Sequence, residues 1–543
     1  MDNGNMTSAS GEAFEKREIF FIFILLFLCY LLFFFHLDAR PLWDGDEGMH
    51  AATSKDMVLS GDWITPTFNG EKFYDKPVLY NWFVSLSFLV FGFTEFAARL
   101  PSAILGTGCV LVVYVLGRTL FGPMVGLLGG VILATSGEQL ILSRAVVHDI
   151  ALAFFITLSL FFFYRGFKKG GDRKRDILLF YVSSGFAVLA KGPVGILLPL
   201  LIIGLFLLLE KRLSFLRELW SLWGILLFFA IAAPWYVLIS FRNRDYISYF
   251  ILHQNVMRFL SSKAIHQEPF YYYFPVLMGG FLPWSFFLPV AILRALRGPF
   301  KGRDERIVFL VLWVLVIFLF FSAASSKLPT YLLPSFPAIS LLVGILWHDL
   351  LKTRESKLLR GFFYSFLTFL GILLVILIYF GVIPPKDFES EYGLDLLQIQ
   401  SIVLLPLIGV ALSFFLFLRR RIKASFFALA GMVVSVILFL DLMIVPSVDP
   451  YRSTKRLAQK LDGMLAPGEK LVFARVMRDS ALFYTHRRAL ILNTRKELMN
   501  LLGSNERVFC IIKRNLFERD EKFGQMAYVI DQEGHKVIIS NRK

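Results

Sequence analysis

Charge is scarce in this chain: only 18% of its 543 residues are Asp, Glu, Lys or Arg, while 56% are hydrophobic. With a mean hydropathy of +0.64 this excludes a water-soluble globular protein and indicates a polytopic helical membrane protein. Cysteine is nearly absent. Cys29 and Cys109 lie inside apolar runs and Cys510 in the tail, at no spacing that a disulfide framework or a thiolate metal site uses. The first apolar run, residues 19–37, has no small-residue cleavage site after it and further runs follow, the pattern of a retained signal anchor. Net charge is +16, but the Lys and Arg fall in short loops between apolar runs, so the excess reads as orientation in a membrane and not as a nucleic-acid surface.

Fourteen apolar stretches are present, at about 19–37, 78–93, 101–117, 123–142, 150–165, 177–190, 192–209, 221–240, 274–293, 307–323, 328–348, 361–383, 399–418 and 424–445. Charge decides how many of them cross. With Lys16 and Arg17 inside, a crossing at 78–93 would put Arg173, Lys174 and Arg175, then Arg294 and Arg297, then Lys352, Lys357 and Arg360, then Arg419, Arg420, Arg421 and Lys423 outside. If 78–93 lies along the outer interface instead, every one of those clusters is cytoplasmic, as the positive-inside rule requires. The expectation is thirteen spans, the N-terminus inside and the C-terminal part outside. Tyr80, Asn81 and Trp82 at one end of 78–93 suit an interfacial helix. The predicted organisation is a transmembrane domain over 1–445, with a first outer loop at 38–100 that carries interfacial helices, and a small α/β domain over 446–543. In the latter, short runs such as 471–474 and 508–512 alternate with helical stretches.

Polar clusters then gather on the outer face. The first is Trp43-Asp44-Gly45-Asp46-Glu47-Gly48, just beyond the first span. The others are Asp75-Lys76, His148-Asp149, Lys191, the loop residues His253 and Arg258, and Ser326-Lys327 with Tyr331. Ionisable groups beside a bilayer are costly unless paired or functional. Each has a blander use: Asp46 and Glu47 as helix caps, Lys76 and Lys191 as snorkelling lysines, Arg258 as a lipid-phosphate contact, His148 as a hydrogen-bonding neighbour. Together they place carboxylates, which act as bases or bind metal, beside cations that hold phosphate, the mixture needed to move a group off a phosphate leaving group.

Several motifs carry a resemblance. They are Arg40-Pro41-Leu42-Trp43-Asp44-Gly45-Asp46-Glu47-Gly48, Ser60-Gly61-Asp62-Trp63-Ile64-Thr65-Pro66, Asn69-Gly70, Asp75-Lys76-Pro77, Ala97-Ala98-Arg99-Leu100-Pro101, Ala190-Lys191-Gly192-Pro193, Pro234-Trp235-Tyr236, Pro283-Trp284 and the run from Ser326 to Pro334. In order and density they resemble the bacterial aminoarabinose (lipid A) transferase family, GT-C glycosyltransferases related to the protein O-mannosyltransferases. The resemblance covers nearly the whole membrane part and much less of the tail. It implies a GT-C fold of thirteen transmembrane helices with a periplasmic C-terminal domain, in the bacterial inner membrane. It also implies transfer of a sugar from a polyprenyl (undecaprenyl) phosphate donor to lipid A or a related glycolipid.

Carried over by motif, Asp46 is the catalytic aspartate, with Glu47, Asp149 and Asp75 as further acids. Lys76, Arg258, Tyr331, His253 and Lys327 belong to the carrier-phosphate site. Asp75 stands where the family commonly has Glu, and Met49-His50 where it has Arg-Tyr, a cation lost near the donor. The Asp44-x-Asp46 pattern binds metal in other GT-C enzymes, so a divalent cation is the one candidate cofactor, with Asp44, Asp46, Asp75 and Asp149 as candidate ligands. The expected partners are the donor, a lipid A, glycolipid or protein acceptor, and membrane lipids, with no nucleic acid. An O-glycosyltransferase for exported proteins is the alternative. A lipid-linked sugar transporter is disfavoured, because no paired repeat is evident and the ionisable groups cluster at outer ends and not at mid-membrane depth.

Overall fold

In this computed structural model the described residues are 3–168, 172–257, 267–297, 304–353, 355–382, 392–466, 471–476, 479–485 and 487–542. The apolar runs form helices whose ends are set by capping side chains and glycine. In the first part of the chain these are α1 (Asn3–Cys29), α2 (Asp46–Ser60), α3 (Leu79–Phe91), α4 (Glu95–Phe121), α5 (Pro123–Ala134), α6 (Gly137–Ser143), α7 (Asp149–Phe167), α8 (Arg173–Lys191) and α9 (Val194–Leu209). The Thr94 hydroxyl accepts from the Ala97 amide at 3.2 Å to start α4, and the Asp172 carboxylate accepts from the Arg175 amide at 3.2 Å to start α8. Gly61, in the left-handed region at φ 69°, ends α2.

Among the described residues, nine helices are long and apolar enough to cross a membrane. Two bent pairs, α5 with α6 (67°) and Tyr273–Gly280 with Trp284–Ala295 (113°), raise the number to eleven. The remaining two of the thirteen expected spans fall on α8, which opens with Arg173, Lys174, Arg175 and Asp176, and on α9, 16 residues long. The chain is a multi-pass membrane protein. Over residues 78–93 the helix is α3, 13 residues, about 20 Å at 1.5 Å per residue and short of a hydrocarbon core of about 30 Å. Its Tyr80, Val84 and Phe88 are buried while Leu86, Leu89, Val90 and Phe91 are exposed, the division expected of a helix lying at an interface. Small residues let the spans approach. A Cβ on Gly117 of α4 would lie 2.8 Å from the Gly126 Cα of α5, and one on Gly344 would lie 3.0 Å from the Gly129 nitrogen.

Within the first outer loop, β1 (Thr67–Phe68) and β2 (Glu71–Lys72) form a hairpin turned by Asn69 and Gly70, both at positive φ (56° and 80°). The last membrane helix, Ile422–Phe439, runs on through a π-turn into Val445–Arg452 and leads to a five-stranded sheet. Its strands are β3 (Leu471–Ala474), β4 (Ala489–Leu492), β5 (Phe509–Lys513), β6 (Tyr528–Glu533) and β7 (Lys536–Ser540), in the order β4-β3-β5-β7-β6. β3 is parallel to β4 and β5, and β7 is antiparallel to β5 and β6. Period-2 alternation buries both faces. Leu471, Phe473, Phe509, Ile511 and Ile538 join the core that continues into the membrane helices. Val472, Ala474, Cys510, Ile512, Val537 and Ile539 pack with Leu498, Leu502 and Phe523. The C-terminal sheet is therefore fused to the membrane part through one apolar core.

Candidate active site

Successive residues of the acidic motif point to different partners. Gly45, at φ 98°, makes the bend that starts α2, and its amide donates to the Asp479 carboxylate at 3.1 Å. Asp44 turns to the C-terminal domain. One of its oxygens accepts from the Ser480 amide (2.9 Å) and hydroxyl (2.7 Å), the other from the Thr454 hydroxyl (2.8 Å) and the Lys536 ammonium (3.0 Å). Glu47 turns inward to the fully buried Arg99, whose Nε and Nη2 donate to its two oxygens at 2.8 and 3.0 Å. The rest of that guanidinium donates to the carbonyls of Leu37, Arg40 and Pro41, fixing the exit of the first span. Burial pushes the Glu47 pKa up, but the Arg99 and Arg40 guanidinium groups beside it prevail and hold it down at about 2. Gly48 lets α2 touch the backbone at Ser480, where a Cβ would come within 2.5 Å of the amide nitrogen.

Asp46 alone of the three acids is exposed, and its carboxylate has no hydrogen-bond or ion-pair partner among the described residues. One turn along α2, His50 is buried with its ring 4.3 Å from that of His148, and His148 lies 4.9 Å from the Tyr80 ring. Tyr80 is itself fixed: its hydroxyl shares a 2.6 Å hydrogen bond with Ser102 and accepts from the Val147 amide at 3.1 Å. Burial lowers the His50 pKa, and nearby Lys76 lowers it further against the pull of Asp46, Asp149 and Asp75, to about 4. At neutral pH the imidazole is uncharged.

Asp149, the first residue of α7, is ion-paired with the Lys191 ammonium and hydrogen-bonded to Thr330. Lys191, at the end of α8, also sits 4.3 Å above the Tyr331 ring. Asp75 accepts from the Tyr249 hydroxyl at 3.1 Å and from the Gln254 amide at 3.0 Å. Lys76 is within electrostatic range of His50, His148 and Asp149. A cavity of about 460 Å³ opens beside Asp75, walled by Phe73, Tyr74, Asp245 and Tyr249. The result is two lysines and three carboxylates around a buried pair of neutral imidazoles, which can hold a phosphate and place a base near it.

Three expectations are corrected. Glu47 faces Arg99 and not the cluster, because a buried guanidinium demands a buried counter-charge. Asp44 cannot share a metal with Asp46, since its oxygens are taken up by four donors of the C-terminal domain. Among the described residues no three His, Cys, Asp or Glu side chains converge on one point, so the candidate ligands Asp44, Asp46, Asp75 and Asp149 do not form a single closed cluster. Lys327 is buried, its ammonium donating to the main-chain carbonyls of Glu268 and Ala324. His253 lies on the helix Ser248–Met257, and its side chain and Arg258 lie outside what the structure describes. Sequence reasoning missed the partnership of Arg99, the support of Asp75 by Tyr249 and Gln254, and Glu138. Glu138 is a buried carboxylate of α6 within range of Asp149 and Lys191. An ionisable residue at the head of one apolar run, for Arg99, and inside another, for Glu138, was the available signal.

Comparisons with known proteins place the chain among relatives. The family described as dolichyl-phosphate-mannose-protein mannosyltransferase matches residues 75–238. The undecaprenyl phosphate-alpha-4-amino-4-deoxy-L-arabinose arabinosyl transferase of Aeromonas salmonicida is 32% identical over 342 residues, 62% of this chain and 61% of that protein. The chain thus spans less than two thirds of that relative's length in the alignment. Transferase 2 of the same description from Proteus mirabilis is 30% identical over 397 residues, 71% of this chain and 70% of that protein. The crystal structure of ArnT from Cupriavidus metallidurans bound to undecaprenyl phosphate superposes with a TM-score of 0.81 at 23% identity, covering 96% of this chain and 97% of that one, and so shares the fold.

Proposed function

We propose, from the premise that this chain belongs to the undecaprenyl phosphate-aminoarabinose arabinosyl transferase family, that it moves a sugar from a polyprenyl phosphate carrier to lipid A or a related envelope glycolipid. The reaction takes place at the periplasmic face of the bacterial inner membrane, with the C-terminal domain on the same side. The observation that carries this reading is the gathering of Asp46, Asp75, Lys76, Asp149, Lys191 and Tyr331 around His50 and His148 next to the interfacial helix α3.

The chemistry is an inverting displacement. The bond between the anomeric carbon and the carrier phosphate breaks as an acceptor oxygen bonds from the opposite face. Lys76 and Tyr331, with Arg258, stabilise the departing phosphate. Lys191, held by Asp149, keeps Tyr331 in place. Tyr249 and Gln254 hold Asp75, which positions Lys76. Asp46 takes the proton when the acceptor is a hydroxyl; when it is a lipid A phosphate, already anionic, Asp46 orients it. A second reading, transfer to an exported protein, is supported by the mannosyltransferase family that matches residues 75–238.

Mass spectrometry of lipid A with its core oligosaccharide, from the host with and without this gene, tests the reading. Loss of a sugar mass on deletion is the expected result and identifies the sugar. An unchanged glycolipid profile overturns the lipid acceptor and transfers the search to periplasmic glycoproteins.

A further inference from the structure

A second cavity lies in the C-terminal domain, away from the site described above. Strand order β4-β3-β5 with all three parallel means that the chain leaves β3 for β4 on one side and later reaches β5 on the other. Loops after β3 and β5 therefore diverge at their carboxyl ends and leave a crevice, the place where open parallel sheets bind ligands. That crevice holds a cavity of about 390 Å³, lined among others by Arg475, Thr494, Arg495, Arg519, Asp520 and Phe523. It opens at the opposite ends of the strands from the contact with the first loop, since Asn69 bonds Ala489 at the start of β4 and the cavity begins beyond its end.

Its charge is unbalanced. Arg495 is neutralised by Asp520, with Nη2 to Oδ1 at 2.9 Å. Arg475 and Arg519 are exposed, and no hydrogen bond or ion pair of either side chain is made among the described residues. Arg475 moreover holds a left-handed backbone, φ 52°, immediately after β3, a conformation an arginine adopts at a cost and that concentrates at functional positions. Two uncommitted guanidinium groups beside a third suit a phosphate, which takes forked N–H donors bidentately. The volume is that of a site for an organic ligand, and Leu498, Leu516 and Phe523 give it an apolar wall.

We infer that this crevice binds a phosphate-bearing organic ligand, its phosphate between Arg475 and Arg519 and its carbon skeleton against Phe523. The phosphate belongs either to a soluble sugar phosphate or to a phospholipid headgroup. The inference does not depend on the transfer reaction. The test titrates the purified full chain in detergent with inorganic phosphate, glucose 1-phosphate and short-chain phosphatidylglycerol, for wild type, Arg475→Ala/Arg519→Ala and Arg475→Lys/Arg519→Lys. The expected result is saturable binding of at least one probe, weakened about tenfold or more in the alanine pair and largely kept in the lysine pair. Melting temperature and sugar transfer should stay unchanged. Preference for glucose 1-phosphate assigns a soluble ligand, and preference for phosphatidylglycerol a headgroup. Equal binding by wild type and the alanine pair, or no saturation with any probe up to ~10 mM, overturns it.

Discussion

Asp46 and Glu47 are neighbours with opposite surroundings, and the difference sets what substitution does. Asp46 is exposed and makes no bond whose loss would unsettle the fold, so Asp46→Asn should lower transfer at least about 100-fold without moving the melting temperature. Near-normal turnover would remove it from the chemistry. Glu47→Gln strands the Arg99 charge in the interior and should destabilise by about 3–5 kcal/mol, read as an earlier thermal unfolding in detergent. Glu47 and His50, one turn along α2, make stability depend on pH. His50 titrates at about 4 in the folded protein and at 6.5 when free, so over that window the unfolded chain binds a proton that the folded chain refuses. Stability should fall as pH drops from 6.5 towards 4, by about 3 kcal/mol. Glu47, at about 2 against 4.5, adds a loss that begins below 4.5 and is complete near 2. His50→Gln should flatten the upper part of a melting-temperature profile; an unaltered slope there would assign it to other groups. Asp46, Asp75, Lys76 and Asp149 were legible in sequence because each sits in a short motif beside an apolar run. The diversion of Glu47 was not legible, because its partner Arg99 is 52 residues away and spacing does not record which carboxylate a buried cation selects.

Helices and turns were legible wherever a local signal existed. Charge bias, with Tyr80, Asn81 and Trp82 at one end, marks residues 78–93 as a helix at the interface, and α3 is too short to cross; the Asn69-Gly70 hairpin, though a two-residue turn signal, went unread. What those elements touch was not legible. The hairpin tip bonds the start of β4, with Ala489 N–H to the Asn69 oxygen at 2.7 Å, and α2 lies against the Asp479–Tyr484 helix at Gly48. Such contacts join segments more than 400 residues apart, and a hydrophobic period tells only that a face is buried. At this scale the prediction concerns the joint. Gly48→Val puts a side chain against a backbone amide 2.5 Å away that has no room to move, and should loosen the C-terminal domain. Limited proteolysis should then release a fragment beginning beyond Arg452; an unchanged digestion pattern would show that the joint tolerates the change.

For the whole molecule, orientation is the testable property. Cys29, Cys109 and Cys510 are all buried, so an introduced thiol reports with little background. A membrane-impermeant maleimide applied to spheroplasts should label Asn505→Cys in the C-terminal domain and spare Lys174→Cys at the start of α8. The reverse pattern would overturn the topology. The bond between Asp44 and Lys536 has a consequence for how the protein is made. These residues are 492 positions apart, and Lys536 opens the last strand. At about 5–20 residues per second, ribosomes need roughly 25–100 s to travel between them. Throughout that interval Asp44 is without the ammonium that pairs with it, although Glu47 already has Arg99. The Asp44 side of the loop that presents Asp46 is anchored only when Lys536 arrives, so a chain cut before that strand would sit in the membrane with this bend unanchored.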